Sequence, residues 1–386
     1  MDKGISTKNK KIYLDNAATT KISKESLRAM REVSEEYYAN PSSLYASGIN
    51  SRKLIENSRK TVAEALGCEP DEFVFTSSGT ESNNIAVLGS YLARKNFGEN
   101  IVVTGYEHPS VYETMRFLEK EGVEIRWINP DSSGTVNVNS ILESVDKKTA
   151  LVSAMHTNNE IGSVLDVEKI AKRVKSINSR TAVHCDFVQG FLKQSIEIKY
   201  LDIVSISGHK VHGPKNVGGL YKKKNLNFFS TVFGGSQEGG VRSGTENLIL
   251  IPAFSAAVSC YDTEKNAIHA RLLNDELRKG LRELGGIVIN SPEDASPFIL
   301  NFSVPGYNSE TLMRYLDENG IEISAGSACS GIKDSSTLTA MGLHRDIIKS
   351  SLRAGFSLEN STEDIEYLLS LIEGARKKLT PSRRGR

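Results

Sequence analysis

The sequence predicts an α/β protein: a large domain with a mostly parallel central sheet flanked by helices, joined to a smaller α+β domain. From about residue 72 onward, short apolar runs rich in β-branched residues alternate with amphipathic stretches. The apolar residues of those stretches recur every three or four positions, which is the spacing of crossover helices. The chain has 386 residues, more than most single domains contain, so a second structural unit is expected.

The elements of the large domain follow one another regularly. Strands are predicted in the segments EFVFT, ENIVVTG, VEIRWIN, TALVSAM, TAVHCD and LDIVSIS. Crossover helices are predicted in SNNIAVLGSYLARK, SVYETMRFLEKEG and VEKIAKRVKSIN. In an open parallel sheet, ligands gather at the carboxyl ends of the strands, so the loops that follow these strands are the first places to look for a site.

The pattern changes after GGLYKKKN. A long helical stretch is predicted from about Asn247 to Leu284, and the segments GGIVIN, SPFILNFSV and IEISAG then alternate with helices. We therefore predict a large domain over residues 12–258 and a small domain over residues 259–386. The N-terminal arm, residues 1–22, is predicted to pack on the small domain.

Composition excludes several classes of protein. No segment approaches the roughly 18 apolar residues that a membrane helix requires, and a net charge of +1 argues against a binding surface for duplex nucleic acid. The cysteines Cys68, Cys185, Cys260 and Cys329 are scattered and form no CxxC pair, so neither a disulfide framework nor a zinc site is expected. We expect a cytoplasmic protein with no membrane partner and no direct nucleic-acid partner.

The segment FTSSGTESNN places glycine and hydroxyl residues between a predicted strand and a predicted helix. Backbone N–H groups at such a helix N-terminus, helped by Thr80, bind a phosphate group well. The same serines and threonines would also serve as ordinary helix caps. This segment alone does not decide between the two.

Asp186 ends the predicted strand in VHCDFVQG, and Gln189 follows three residues later. A buried aspartate is costly unless it pairs with a cation, such as the protonated nitrogen of a pyridine ring. Asp186 could equally be the N-cap of a helix.

Lys210 follows the next strand, in SISGHKVHGPK, with Ser207 and His209 beside it. A lysine that is partly desolvated and close to other cations has a lowered pKa and can form a Schiff base. The alternative is an ordinary surface lysine. His209 and His212 also suggest a metal site, but no third ligand has a suitable spacing, so no metal is expected.

The phosphate-binding turn, Asp186 and Lys210, in that order, together indicate bound pyridoxal 5′-phosphate. Over nearly its whole length the chain resembles the cysteine desulfurases, which are class V aminotransferases of fold type I among pyridoxal-phosphate-dependent transferases, and specifically the branch with a SGSAC-type catalytic loop. The matching segments, all in the family's order, are YLDNAATT, NPSSLYASG, FTSSGTESNN, EHPSV, MHTNNEIG, HCDFVQ, SGHKVHGPK, VRSGTEN, SAGSAC and SLRAGFS.

The resemblance implies a role for each matching residue of the cofactor site. Lys210 would hold the cofactor through a Schiff base, Asp186 would stabilise its protonated pyridine nitrogen, and Gln189 and Asn159 would contact its ring oxygen. His108 would stack on the ring and help to move protons. The residues that would bind the phosphate are Gly79, Thr80, Ser207, His209 and, from across a homodimer interface, Thr245.

The resemblance also assigns the substrate. Arg353 would hold the carboxylate of L-cysteine as a bidentate fork, aided by Asn159 and Asn40. Cys329 lies in AGSACSGIKDSSTL, a run of small and polar residues that cannot bury a thiol well. In the family, a thiolate in this loop attacks the sulfur of cofactor-bound cysteine, becomes a persulfide and releases alanine, and the loop then delivers the sulfur. The other three cysteines are expected to be structural.

Some positions depart from the family's pattern. Phe187 and Val188 replace residues that are usually small, and the segment FGGSQEGGVRSG lacks a glycine and a basic residue that are usual there. The loop after Cys329 is short, and no long C-terminal docking tail is expected. These departures leave the sulfur acceptor open between an iron–sulfur scaffold and an enzyme of tRNA thiolation or thiamine synthesis.

Two rival functions use the same fold. One is a selenocysteine lyase or cysteine sulfinate desulfinase, against which the SAGSAC loop argues. The other is a binding subunit without catalytic activity, which would need none of Lys210, Asp186, His108 and Arg353.

Overall fold

The computed structural model describes residues 11–325 and 335–381. Its helices are α1 (Lys24–Glu36), α2 (Ala46–Leu66), α3 (Gly79–Leu92), α4 (Pro109–Lys120), α5 (Val138–Glu143), α6 (Val167–Ile177), α7 (Leu250–Cys260), α8 (Thr263–Leu284), α9 (Ser309–Glu318), α10 (Ser336–Ala340), α11 (Arg345–Lys349) and α12 (Thr362–Lys378). Its strands are β1 (Ile12–Tyr13), β2 (Phe73–Thr76), β3 (Asn100–Thr104), β4 (Glu124–Ile128), β5 (Thr149–Met155), β6 (Ala182–Asp186), β7 (Ile203–Ser207), β8 (Gly218–Lys222), β9 (Val288–Ile289), β10 (Ile299–Ser303), β11 (Ile321–Glu322), β12 (Ser324–Ala325) and β13 (Ser351–Gly355).

A seven-stranded sheet forms the larger part of the molecule, in the order β2-β8-β7-β6-β5-β3-β4. Strands β4, β3, β5, β6 and β7 pair in parallel, and β8 is antiparallel to both of its neighbours. Every residue of β3, β5, β6 and β7 is buried, which explains why these strands are continuous apolar runs rather than alternating ones. The predicted α/β fold with a mostly parallel sheet is confirmed.

The predicted crossover helices are present as α3, α4 and α6. Side chains cap their N-termini: Ser78 Oγ accepts from the amide of Glu81, and Asp166 accepts from the amide of Lys169. The long helical stretch predicted from about Asn247 to Leu284 forms two helices, because α7 ends at Cys260 and α8 begins at Thr263. The carboxylate of Asp262 accepts from the amide of Lys265 and so starts a new helix.

A smaller four-stranded antiparallel sheet has the order β12-β13-β10-β9. Strand β1 of the N-terminal arm pairs in parallel with β11, and Asp15 forms a bridge with Gly355 at the end of β13. Leu14 and Ala17 of the arm are buried in the same core as Phe302 of β10 and residues of α8, α9 and α12. The arm therefore runs over the smaller sheet before the chain enters α1.

The fold brings the carboxyl ends of β5, β6 and β7 together with the arm and with β13. At this edge, the backbone oxygen of Gly162 in the loop after β5 accepts a hydrogen bond from the amide of Ser296, shortly before β10, at 2.8 Å. Of the helices in the described parts of the chain, none has the length and apolar character needed to cross a lipid bilayer.

Candidate active site

A cavity of about 280 Å³ lies at the carboxyl ends of the central strands. It gathers most of the site residues that the sequence predicted, together with side chains of the arm and of α3. The predicted residues that line it are Gly79, Thr80, His108, Asn159, Asp186, Gln189, Ser207, His209, Lys210 and Arg353. These residues come from positions spread over most of the chain, so the sheet topology assembles the cavity rather than any local motif.

One end of the cavity is suited to a phosphate group. Helix α3 begins there at Gly79, and a Cβ on Gly79 would lie 2.9 Å from Cγ2 of Val188 and 3.3 Å from Cβ of Ser207. Glycine is therefore required for the close approach of the helix start to β7. The hydroxyl of Ser207 is buried and has no hydrogen-bond partner among the described residues. A helix N-terminus beside an unpartnered hydroxyl and the exposed Thr80 is a suitable set of donors for an anion.

Asp186 ends β6 and is buried. Its Oδ2 accepts a hydrogen bond from Nδ2 of Asn83 at 2.7 Å, and its Oδ1 accepts from the amide of Val188 at 3.0 Å. In the described parts of the chain this carboxylate has no cationic partner, and it does not cap a helix. A buried carboxylate held only by neutral donors at the edge of a cavity fits a ligand that brings a positive charge.

Asn83 connects Asp186 to His108 through Ser110. Its Nδ2 also donates to Oγ of Ser110 at 2.9 Å, and that Oγ lies 2.8 Å from Nδ1 of His108. The amide of Ser110 donates to the same Nδ1 at 3.1 Å. Because an amide can only donate, Nδ1 is an acceptor, and a neutral His108 carries its proton on Nε2.

The charge state of His108 follows from its surroundings. Burial lowers the pKa of His108 and the nearby positive charge of Lys210 lowers it further, whereas the charge of Asp186 opposes both. Burial, followed by the charge of Lys210, likewise lowers the pKa of His209 to about 3. Both imidazoles are therefore neutral near pH 7.

Lys210 lies in a short 3₁₀ turn directly after β7. Its Nζ donates to the carbonyl oxygen of Ala17 at 2.9 Å and to that of Ala18 at 2.7 Å. Gln189 contacts the same part of the arm, because its Nε2 donates to the Ala17 oxygen at 2.9 Å while its Oε1 is buried without a partner among the described residues. The arm thus closes one side of the cavity.

Arg353 is buried in β13 and also lines the cavity. Its Nη1 donates to the backbone oxygen of Asn159 at 2.9 Å. Its Nη2 lies 2.8 Å from Oδ1 of Asp15 and 3.2 Å from Oγ of Ser324. The guanidinium is thus held in place and faces a space already lined by Lys210 and His108.

The remaining predicted residues lie elsewhere. Asn40 is exposed and bonds locally to the amide of Ser42, and Thr245 is exposed and lines a separate, smaller cavity. Within one chain, neither residue lines the cavity that contains Lys210. Cys329, predicted as the nucleophile, lies outside the described residues.

The other cysteines have unreactive surroundings. Burial raises the pKa of Cys68 to about 12 and raises the pKa of Cys185 well above its ordinary value. Burial also raises the pKa of the Cys260 thiol. Because the thiolate is the reactive form, these residues are poor nucleophiles.

Sequence reasoning did not identify Asn83, Ser110 and Asp15 as members of the site. Asn83 lies in FTSSGTESNN, where only the glycine and hydroxyl residues were considered, and Asp15 lies in YLDNAATT, which was noted only for its resemblance. Ser110 follows His108 by two positions. A polar side chain in the second turn of a helix that starts at the cavity was a usable signal for Asn83. No sequence signal paired Asp15 with a residue 338 positions away.

The chain is similar to known proteins over nearly its whole length. The aminotransferase class-V family matches residues 12–368. "Cysteine desulfurase IscS" of Dictyoglomus turgidum is 35% identical over 378 residues, which cover 96% of this chain and 95% of that protein. A solved "NifS-like protein" superposes with a TM-score of 0.90 at 34% identity, covering 96% of this chain and 100% of that one.

A further solved structure, described as SspA in complex with cysteine, has a TM-score of 0.79 at 29% identity and covers 90% of this chain and 99% of that one. The resemblance stated from the sequence is therefore confirmed over nearly the whole chain. The chain belongs to the aminotransferase class-V family.

Proposed function

We propose that the protein is a cysteine desulfurase that uses pyridoxal 5′-phosphate to remove the sulfur of L-cysteine, releasing L-alanine and retaining the sulfur as a persulfide on Cys329. The observation that carries this proposal is the shared cavity of Lys210, Asp186 and Arg353. An amine, a carboxylate without a cationic partner among the described residues and a buried guanidinium are the groups needed to attach the cofactor, stabilise its ring and hold an amino acid.

The cavity fits the cofactor at both of its ends. The start of α3 at Gly79, with Thr80 and the unpartnered hydroxyl of Ser207, would hold the phosphate, and His209 lies beside them. Asp186 would stabilise the protonated ring nitrogen, and the unpartnered Oε1 of Gln189, together with Asn159, would contact the ring oxygen. When bound, pyridoxal phosphate supplies a sink for the electron pair at the substrate's α-carbon.

His108 and Lys210 would handle the protons. His108 is neutral, its Nδ1 is fixed by Ser110, and its Nε2 remains for exchange with the substrate. Once its own amine is released by the incoming amino acid, Lys210 is available to take a proton from the substrate's α-carbon and to return one to it.

Arg353 would bind the α-carboxylate, next to the backbone of Asn159. This arrangement selects an amino acid over a simple thiol. The similar protein solved with cysteine supports cysteine as the amino acid.

Cys329 would receive the sulfur. Its thiolate attacks the substrate's sulfur, an S–S bond forms, the substrate's carbon–sulfur bond breaks, and the bonding electron pair remains on the substrate, which is protonated to give L-alanine. A protein acceptor then takes the outer sulfur from the persulfide, and both an iron–sulfur scaffold and a tRNA-thiolation enzyme fit this chemistry. A reducing compartment such as the cytoplasm would keep the thiol available.

We further propose a homodimer. Thr245 and Asn40 lie outside their own chain's cavity, and several large apolar side chains in neighbouring segments face solvent: Tyr38 is 85% exposed, Leu44 83% and Phe233 77%. Exposed apolar surface of this kind is typical of a subunit interface. In a dimer, Thr245 would complete the partner's phosphate site, with 12–258 and 259–386 as the two domains of each chain.

The decisive test is Cys329→Ala in the cofactor-loaded protein. We expect sulfide release from L-cysteine to be abolished while the bound cofactor's absorbance is retained, and Cys260→Ala, which removes an exposed thiol, is the matched control. Undiminished sulfide release by Cys329→Ala would remove Cys329 from the mechanism. Retained turnover of selenocysteine or cysteine sulfinate, without turnover of cysteine, would favour the rival lyase or desulfinase activity.

A further inference from the structure

The guanidinium of Arg353 already makes hydrogen bonds on the side where a substrate carboxylate would bind. A guanidinium has five N–H groups. Nη2 has an acceptor for each of its two, Oδ1 of Asp15 at 2.8 Å and Oγ of Ser324 at 3.2 Å, and Nη1 donates to the oxygen of Asn159 at 2.9 Å. Nε is buried and has no partner among the described residues.

This arrangement restricts how a substrate carboxylate can bind. A guanidinium offers two forks to a bidentate carboxylate, Nη1 with Nη2 and Nε with Nη2, and both include Nη2. Because both N–H groups of Nη2 are in use, bidentate binding must displace Asp15 or Ser324. A carboxylate on the Nε and Nη2 fork would also satisfy the buried Nε.

Of the two acceptors on Nη2, the Asp15 side chain is the one that a substrate carboxylate can displace. Its side chain is 22% exposed, whereas that of Arg353 is 5% exposed and Ser324 is buried in β12. The backbone of Asp15 is held separately, since its carbonyl oxygen accepts from the amide of Ala18 at 3.0 Å and from the hydroxyl of Tyr13 at 3.1 Å. Rotation of the side chain toward water would therefore free Nη2 without moving the arm.

When no substrate is bound, Asp15 provides a countercharge to Arg353. A buried guanidinium without a countercharge is strongly unfavourable, and the Asp15 carboxylate supplies that charge. When a second carboxylate reaches Arg353, the two anions repel each other, and one arginine cannot neutralise both.

We propose that Asp15 is a positioning residue that stands in for the substrate's carboxylate on Arg353 and is exchanged for it on binding. This inference rests on the proposed function, which assigns Arg353 to the α-carboxylate. As a consequence, part of the binding free energy of the amino acid is used to displace Asp15, so Asp15 lowers the affinity for the amino acid.

The test compares Asp15→Asn with the wild type as cofactor-loaded protein. Asparagine keeps the shape of the side chain and an acceptor oxygen but loses the negative charge. The ligand is L-alanine, which has the carboxylate but no sulfur. Its affinity, measured by calorimetry, should rise roughly fivefold in Asp15→Asn, which corresponds to the difference in free energy between a charged and a neutral hydrogen bond. The KM for L-cysteine should fall by a similar factor, with a smaller change in kcat. Ethylamine, which lacks the carboxylate, should bind both proteins equally, and Ser324→Ala is the control for loss of a neutral contact.

Equal or weaker binding of L-alanine by Asp15→Asn would overturn the exchange. Asp15→Glu provides an independent arm if the asparagine variant does not fold: it keeps the charge, so it should bind L-alanine no more tightly than the wild type, and tighter binding would also overturn the proposal. A wild-type protein that neither releases sulfide from L-cysteine nor binds L-alanine would instead contradict the proposed function itself.

Discussion

Nδ2 of Asn83 lies 2.7 Å from Oδ2 of Asp186 and is the donor of the hydrogen bond between them. The second N–H of the same amide bonds to Ser110, whose hydroxyl contacts Nδ1 of His108. One side chain of α3 therefore fixes both the carboxylate at the end of β6 and the imidazole at the start of α4. The relative orientation of these two groups therefore depends on Asn83.

Asn83→Ala should weaken both contacts at once. Loss of the donor leaves a buried carboxylate oxygen without its partner, so the free energy of unfolding should fall by about 1–3 kcal/mol in a denaturant titration, and the rate of sulfide release should fall with it. Asn84→Ala is the matched control, because Asn84 bonds to the backbone oxygens of Thr80 and Ser110 rather than to Asp186. Equal losses in the two variants would show that Asn83 has no special role.

Lys210→Ala should abolish covalent attachment of the cofactor. The variant incubated with pyridoxal phosphate should lack the visible absorbance band of a lysine-linked cofactor and should not release sulfide, because Lys210 is the only lysine among the described residues that line the cavity. Lys215→Ala, which removes an exposed lysine of the same loop, should keep both properties. A band that persists in Lys210→Ala would assign the attachment to another residue.

His108→Gln should slow sulfide release by about 10²- to 10⁴-fold, the usual contribution of a general acid or base. Because the pKa of His108 lies below its ordinary value of 6.5, the wild-type rate should not decline through protonation of this residue until the pH is below 6.5. A pH–rate profile measures both effects, and exposed His344, changed to Gln, is the control. An acid limb centred above pH 6.5 that disappears only in His108→Gln would contradict this assignment.

Glu107 should make the folded protein less stable as the pH rises. Burial raises the pKa of Glu107 to about 8 from 4.5, and the charge of Asp186 adds to the shift. Between pH 4.5 and pH 8 the folded state binds more protons than the unfolded state. The free energy of unfolding therefore falls as the pH rises from about 4.5 to 8, and above this interval Glu107 causes no further loss of stability. In Glu107→Gln the contribution is absent.

Denaturant titrations at several pH values would test the predicted effect of Glu107 on stability. The stability of Glu107→Gln relative to the wild type should increase with pH across that interval, whereas Glu113→Gln, on the exposed face of α4, should show no such trend. A difference between Glu107→Gln and the wild type that is independent of pH would mean that Glu107 is ionised in the folded protein.

The chain's local patterns were sufficient for the parallel strands of the large sheet and for the residues at their ends, but strands β8 and β13 were not predicted. Asp186 and Ser207 each end a buried apolar run and Lys210 closely follows one, and parallel strands place their carboxyl ends along one edge. The division between α7 and α8 was missed because the apolar spacing continues across Tyr261, and only the Asp262 cap marks the break.

By itself, the sequence determined the α/β fold, the strand-end residues Asp186 and Lys210, and the family, because strand periodicity and motif order are properties of neighbouring residues. The tertiary structure alone decided which side chains complete the site. Asn83 meets Asp186 across 103 positions and Asp15 meets Arg353 across 338, and such contacts depend on how helices, sheet and arm pack together. Burial and hydrogen-bond geometry arise only when that packing is formed. They set the charge state of His108 and determine which groups form hydrogen bonds with Arg353.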